Sequence, residues 1–265
     1  MELEKILPEN GPPIDEVNKY IEKYKNDLIV IKYGGNVLID RDIFDNFISD
    51  LSILNKLGLS AIVVHGGGPR IKRELDKSNI QSRFIRGLRV TDKKIINIVE
   101  SVLIDFNNDI VSSLEKKNIG AVSIHTKKDN IIEVVPEAKE LGFVGLPSKI
   151  NKSILLDVIK QNKIPIVSPL GLDKNGQTHN INGDTAAMAV AKSVKSRRLL
   201  LMTNVDGVLD KEKKLIDEIS SSEILEMVKD ETVTEGMIPK INACLEAVNN
   251  GVTAAGIING TKQHS

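Results

Sequence analysis

Two glycine clusters in the 265-residue sequence directly follow short apolar runs: Lys32-Tyr33-Gly34-Gly35-Asn36 and His65-Gly66-Gly67-Gly68-Pro69. Glycine at such a junction lets backbone N–H groups close on an anion, and the N-terminus of a following helix favours negative charge. One such cluster is equally a tight turn; two, one with a lysine ending its apolar run, point to anion binding. Neither cluster fits GxGxxG, and GxxxxGK[ST] is absent, which sets aside the standard dinucleotide fold and the P-loop nucleotidases. Gly87-Leu88-Arg89-Val90-Thr91-Asp92 places an arginine just before a helix that Thr91 or Asp92 can cap. Arginine can clamp a carboxylate bidentately, although a surface ion pair is the commoner use of a lone arginine. Asn180-Ile181-Asn182-Gly183-Asp184 alternates so that three polar side chains can project one way. Gly236-Met237-Ile238-Pro239-Lys240 sets a cation at a helix start, against the helix dipole, which makes sense where an anion such as phosphate also sits.

Other reactive side chains fall outside these segments. His125, His179 and His264 match no metal-ligand spacing, and His65, leading a glycine turn, reads as structural. Cys244 lies on an apolar helical stripe and is expected to pack in the core. There is no G-x-S-x-G elbow for hydrolase chemistry. Lys plus Arg and Asp plus Glu number 36 each, so the formal net charge is zero and a basic nucleic-acid binder is not indicated. Aromatics at 3% and the absence of Trp leave no stacking platform for bases. One cysteine excludes a disulfide framework or a thiolate zinc site. No apolar run reaches the roughly 18 residues of a membrane span, and Met1–Asn10 carries three Glu and no signal-peptide core. A cytoplasmic protein is expected.

The elements that must position these groups alternate. Leu28–Lys32, Ala61–His65, Ala121–His125, Ile164–Ser168, Leu199–Thr203 and Ala255–Ile258 are continuous apolar runs, as buried parallel strands require. Between them lie helical stripes. Phe44, Phe47, Ile48, Leu51 and Leu54 share one face, with Gly58 as the stop. Ile95, Ile96, Val99, Leu103 and Phe106 form a second, and Ile241, Cys244, Leu245 and Val248 a third, closed by Gly251. Strand and helix in alternation predict an α/β fold with right-handed crossovers. Any division falls near Lys195–Arg198. In the first 27 residues, Ile14, Val17, Ile21 and Tyr24 after Gly11-Pro12-Pro13 predict a helix. It either packs on its own domain or serves as an oligomerisation arm.

With TNVDGVLD (Thr203–Asp210), these segments in this order resemble the amino acid kinase family, from about Leu28 onward, and GLRVTD, NxNxD and GMxxK point to its acetylglutamate-phosphorylating branch. The resemblance implies an open αβα sandwich with a mainly parallel sheet. Residues 28–195 would form an N-lobe for the acyl amino acid and dimerisation, residues 196–265 a C-lobe for ATP, with 1–27 a helical arm. The implied reaction moves the γ-phosphoryl group of ATP to the side-chain carboxylate of N-acetyl-L-glutamate, the second step of arginine biosynthesis. Lys32 and Lys240 would neutralise the transferring group, and Asp184 would orient both. Gly67, Gly68, Arg89 and Asn180 would bind the acceptor, Arg89 by its α-carboxylate. Gly34, Gly35, Asn204, Val205, Asp206, Gly207, Val208, Leu209, Thr232, Val233 and Thr234 would bind the nucleotide. Mg²⁺ would be held chiefly by phosphates, with few or no dedicated protein ligands. A homodimer or a hexamer built as a trimer of dimers is implied, with a PII-type regulator as a further partner, in cytoplasm or plastid stroma. The alternatives are a related kinase acting on acetylaminoadipate or aspartate, and a non-catalytic nucleotide or arginine sensor. The presence of Lys32, Lys240 and Asp184 together speaks against the sensor.

The sequence departs from the family pattern in three places. Gly183 stands where NxNAD has alanine, which loosens the turn, and Glu235 stands where a glycine often precedes GM. The family continues beyond the segment matching Ile257–Gly260 with a further apolar strand region, so a short C-terminal edge is expected here.

Overall fold

The computed structural model describes residues 3–8, 11–34, 40–233 and 237–264. Six strands form one parallel sheet: β1 (Leu28–Tyr33), β2 (Ser60–His65), β5 (Ala121–Ile124), β8 (Ile164–Val167), β11 (Arg198–Thr203) and β12 (Ala254–Asn259). Their order is β12-β11-β1-β2-β8-β5, with β1 in parallel register to both β2 and β11. The six apolar runs therefore become the six central strands.

Strand side chains alternate between faces, and both faces are covered. Ile29, Ile31, Ala61 and Val63 pack against Phe47, Ile48 and Leu51 of α2 (Arg41–Lys56) and Phe106, Ile110 and Leu114 of α4 (Lys93–Glu115). Val30, Ile62, Val64, Leu199 and Leu201 meet the other layer. That layer holds α5 (Lys152–Lys160), α6 (Gly183–Val194) and α8 (Ile238–Asn249). Its small residues, Ala186, Ala187, Ala191 and Ala247, are fully buried and let the helices approach the sheet closely. Each buried Val, Leu or Ile contributes roughly 1.5–3 kcal/mol. The result is the αβα sandwich expected from the alternation.

The parity fixes where chemistry can happen. Lys32 lies two residues after Val30, so it points to the α6–α8 layer, whereas Tyr33 joins the α2–α4 face. Asp40 caps α2 through Asp42 and Ile43 N–H, and Asp92 caps α4 through Lys94 and Ile95 N–H. Of the two possible caps in GLRVTD, Asp92 is the one used.

A smaller sheet, β10-β9-β6-β7, is built of β6 (Ile132–Pro136), β7 (Gly145–Ile150), β9 (Leu170–Leu172) and β10 (Thr178–Asn180). The hairpin of β3 (Phe84–Ile85) and β4 (Leu88–Arg89) lies between α3 (Gly68–Lys77) and α4 in the chain. The remaining helices are α1 (Ile14–Tyr24) and α7 (Ser221–Lys229). Val17 of α1 is buried with Leu3 and Leu57, so this helix packs on its own domain, while Ile14 and Tyr20 are exposed. Lys195, at φ +49°, ends α6 just before β11, and β11 pairs directly with β1. The segments on either side of residue 195 thus share one sheet.

Candidate active site

Lys32 is the penultimate residue of β1 and Asp184 lies in the first turn of α6. Asn182 caps α6, its Oδ1 accepting from Asp184 N at 2.9 Å and Thr185 N at 3.1 Å. The cap sets the carboxylate of Asp184 over the end of the sheet. There Lys32 Nζ lies 2.9 Å from Oδ1 as a close ion pair, and Lys240 Nζ, from the first turn of α8, donates to Oδ2 at 2.8 Å. Burial pushes Asp184 up, but Lys32 and then Lys240 outweigh it and hold the carboxyl below the usual carboxylate range. Burial pulls Lys32 below the ordinary lysine value; Asp184 opposes this and Lys240 adds to it. The stem of Lys32 runs between two glycines. A Cβ at Gly34 would collide with the ammonium end, and one at Gly183 would stand 3.2 Å from Cε.

A cleft of about 190 Å³ opens beside this triad, lined by Lys32, Gly67, Gly68, Arg89, Asn180 and Asp184. Gly68 opens α3, so the N-terminus of that helix faces the cleft. Arg89 is buried. Its Nη1 donates to Ser82 Oγ and its Nη2 to Gly68 O at 3.3 Å, while the guanidinium lies 4.7 Å from the Phe84 ring centroid. It is therefore not the surface ion pair that the sequence allowed. Asn180 ends β10, with its amide 3.4 Å from Thr91 Oγ1.

The stretch 204–209 follows β11 at the same edge of the sheet. Asp206 accepts from Asn259 Nδ2 at 2.8 Å and pairs with Lys262 at 2.6 Å. Gly207 has φ +145°, a value other residues rarely adopt. Val208 and the buried Val233 pack with Ile224 and Ile241, so those two side chains serve the core. Asn204, Val205 and Leu209 lie in the exposed or half-exposed loop, and Thr232 bonds to Asp230. Gly35 and Thr234 lie outside the described residues, as does Glu235. Gly67, Gly68, Arg89, Asn180 and Lys32 thus meet in one cleft and Lys240 joins them through Asp184, whereas Val208 and Val233 bring residues 204–209 and 232–233 together against α8.

Sequence reasoning missed Phe84, Leu103 and Pro169 on the cleft wall. Pro169 was within reach, because it lies just past the carboxyl end of β8, where ligands gather in such sheets. Cys244 is half-buried and burial pushes its thiol up to about 12, which suits packing rather than reaction.

Among the described residues no three His, Cys, Asp or Glu converge, and both oxygens of Asp184 face ammonium groups. Among the described residues no helix is long and apolar enough to cross a membrane.

Two lysines locked on one carboxylate, glycine-lined helix N-termini and a buried arginine at the carboxyl edge of a parallel sheet define an α/β protein of the phosphoryl-transferring class. Residues 27–259 match the model of the amino acid kinase family, and the chain belongs to that family. It is 53% identical over 264 residues to the acetylglutamate kinase of Pelagibacter ubique, covering 100% of this chain and 92% of that protein. A solved structure from Streptococcus mutans is 30% identical with TM-score 0.77, covering 88% of this chain and 98% of that one. The N-acetylglutamate synthase of Neisseria gonorrhoeae, solved with coenzyme A and N-acetyl-glutamate, has TM-score 0.85 at 22% identity. That match spans 95% of this chain and 58% of the synthase, and shows the shared fold alone.

Proposed function

We propose that this chain catalyses transfer of the γ-phosphoryl group of ATP to the side-chain carboxylate of N-acetyl-L-glutamate. The products are N-acetyl-L-glutamyl 5-phosphate and ADP, the second step of arginine biosynthesis. The observation that carries the reading is the Lys32–Asp184–Lys240 bridge beside a cleft that holds Arg89 and the glycine loop. The full-length identity to a named acetylglutamate kinase supports the choice of acceptor.

The chemistry suits these groups. The acceptor carboxylate has a pKa of about 4.3, so it is ionised at neutral pH and needs no general base. Its oxygen forms a bond to Pγ while the bond from Pγ to the bridging β-oxygen breaks, and ADP departs. Two anions must be brought together, so positioning and charge neutralisation are the catalytic tasks. Lys32 would approach the phosphoryl group from the sheet and Lys240 from α8, each held by Asp184. Arg89 would grip the acceptor's α-carboxylate and Asn180 its polar groups, with the N–H groups of Gly67 and Gly68 facing the reacting oxygens. Gly34, Gly35, Asn204–Leu209 and Thr232–Thr234 would hold the nucleotide, which enters as MgATP with the ion on its phosphates.

The wider assembly belongs to the same proposal. Residues 28–195 would act as the acceptor lobe and 196–265 as the nucleotide lobe. The exposed face of α1 would link dimers into a hexamer, with arginine or a PII-type protein as regulator, in cytoplasm or plastid stroma.

Coupled ADP release tests the reading, with N-acetyl-L-glutamate set against acetylaminoadipate, aspartate, glutamate, carbamate and UMP. N-acetyl-L-glutamate is expected to be the preferred acceptor. Failure to turn it over would overturn the assignment, and nucleotide binding without any turnover would point to a sensor.

A further inference from the structure

We infer that His65 is a positioning residue for the transfer: its Nδ1–H turns the Gly66–Gly67 peptide so that the Gly67 N–H faces the anion in the cleft. The inference rests on the reaction proposed above and extends it to a residue that touches neither substrate.

His65 ends β2 and is wholly buried. Its Nδ1 lies 2.8 Å from Gly66 O. A carbonyl can only accept, so Nδ1 carries the proton. On the other side Nε2 faces Ser168 Oγ at 3.1 Å and Asn107 Nδ2 at 3.2 Å. The Asn107 amide is oriented by Ile166 O, 2.9 Å from Nδ2, which requires the nitrogen there. Nε2 is therefore an acceptor and the ring is a neutral, defined tautomer. Burial holds its pKa down at about 4, so it stays neutral at physiological pH. Phe106 packs edge-on against the ring, 5.0 Å between centroids. The network ties the ends of β2 and β8, the middle of α4 and the glycine loop together.

The consequence follows from peptide geometry. In a trans peptide the C=O and N–H point in opposite directions. The Gly66 carbonyl points at the buried ring, so the Gly67 N–H points away from it, where Gly66, Gly67 and Gly68 line the cleft. The Gly66 N–H is already engaged by Tyr33 O at 2.6 Å. A peptide between two glycines meets little steric resistance to flipping. Flipped, it would aim a carbonyl at the incoming anions. His65 selects the useful orientation.

Two substitutions separate the donor from the bulk. In His65→Asn the side-chain N–H₂ can take the place of Nδ1, whereas His65→Gln reaches the place of Nε2 and leaves Gly66 O without its donor. His65→Gln is expected to lower kcat about 100-fold with the KM for ATP little changed, and His65→Asn to recover most of that loss. Equal loss in both variants, with melting temperatures alike, would overturn the inference. A second readout is the Gly67 amide resonance during titration with inorganic phosphate. It should move in the wild-type protein and in His65→Asn and stay still in His65→Gln. The same movement in all three would also overturn the inference. Should neither variant fold, the imidazole nitrogen shifts of the wild-type protein decide. A bare Nδ1 or a charged ring at neutral pH rules the inference out, and Nδ1–H with bare Nε2 upholds it. Absence of wild-type turnover with N-acetyl-L-glutamate would instead overturn the proposed reaction, and the amide titration would still read the positioning on its own.

Discussion

Lys32 and Lys240 share one carboxylate: the first lies 2.9 Å from Oδ1 of Asp184 and the second 2.8 Å from Oδ2. Two like charges from opposite ends of the sequence are thereby held close together and mostly out of water. Such an arrangement is costly unless the carboxylate stays ionised, and both lysines ensure that it does. In the proposed reaction an arriving phosphoryl group would meet two cations whose positions are already set, with little reorganisation left to perform.

Asp184→Asn should therefore fail in two ways. Removing the charge leaves the buried Lys32 and the half-buried Lys240 without their shared partner, which typically costs about 3–5 kcal/mol. Urea unfolding would show it. Lys32, already pulled down by burial, would lose the group that opposes that shift. Its pKa is expected to fall further, with kcat lower by about 10²–10³-fold. Near-normal turnover in a variant of normal stability would mean that Asp184 does not orient the lysines.

Arg89→Lys tests the proposed acceptor grip. A lysine keeps the charge but loses the fork that matches a carboxylate. Its ammonium would also give up the geometry that Arg89 shares with Ser82, Gly68 and Phe84. Losing one charge-assisted hydrogen bond costs about 1.5–3 kcal/mol. The KM for the acceptor should thus rise about 10–100-fold, with the KM for ATP unchanged.

Much of this site was legible in the sequence because its backbone demands are local. A lysine ending a strand, a glycine run opening a helix and NxNxD before a small-residue helix each announce their geometry within a few residues. The central sheet was legible for the same reason, since a strand buried on both faces is apolar throughout. The smaller sheet was not. In β6 the burial alternates, with Glu133 exposed between Ile132 and Val134, and the strand carries a bulge at Glu133/Val134. β9 and β10 are three residues each, too short for a period to register. The partnership of His65 with Asn107 and Ser168 spans 42 and 103 residues, a distance at which spacing carries no information. Asn182 was readable as polar and inward, but its use as a cap emerges from the start of α6.

Acid should destabilise the protein in two windows. His65 is held at about 4 when folded and would titrate near its ordinary 6.5 when unfolded. Between those values the unfolded chain binds a proton that the native state refuses, so stability falls as pH drops from about 6.5 to about 4. The total is of order 3 kcal/mol, from about two and a half pH units. Asp184, with its pKa depressed, adds a loss of the same sign, but below its unfolded value of about 3.9. His125 is also lowered by burial and contributes in the upper window. Comparing wild type with His65→Asn at about pH 7 and about pH 5 isolates His65, because His125 titrates in both. The variant should show the flatter dependence. Parallel curves would mean that His65 takes up its proton equally in the folded and unfolded protein.

Gly67 and Leu103 make the last test, because the glycine loop keeps its place only if nothing larger occupies position 67. A Cβ there would overlap Leu103 Cδ2 and stand 3.4 Å from Ile71 Cδ1. The penalty of Gly67→Ala is thus one of packing, about 1–3 kcal/mol. Leu103→Ala alone removes a side chain that is 1% exposed and should cost about 2–5 kcal/mol. In the double variant the new methyl group enters space that the leucine has vacated. The two penalties should then sum to less than their separate values, with a coupling of about 0.5–3 kcal/mol in urea unfolding. Strict additivity would show that Leu103 does not press on the loop and that its close approach is not what requires glycine at position 67.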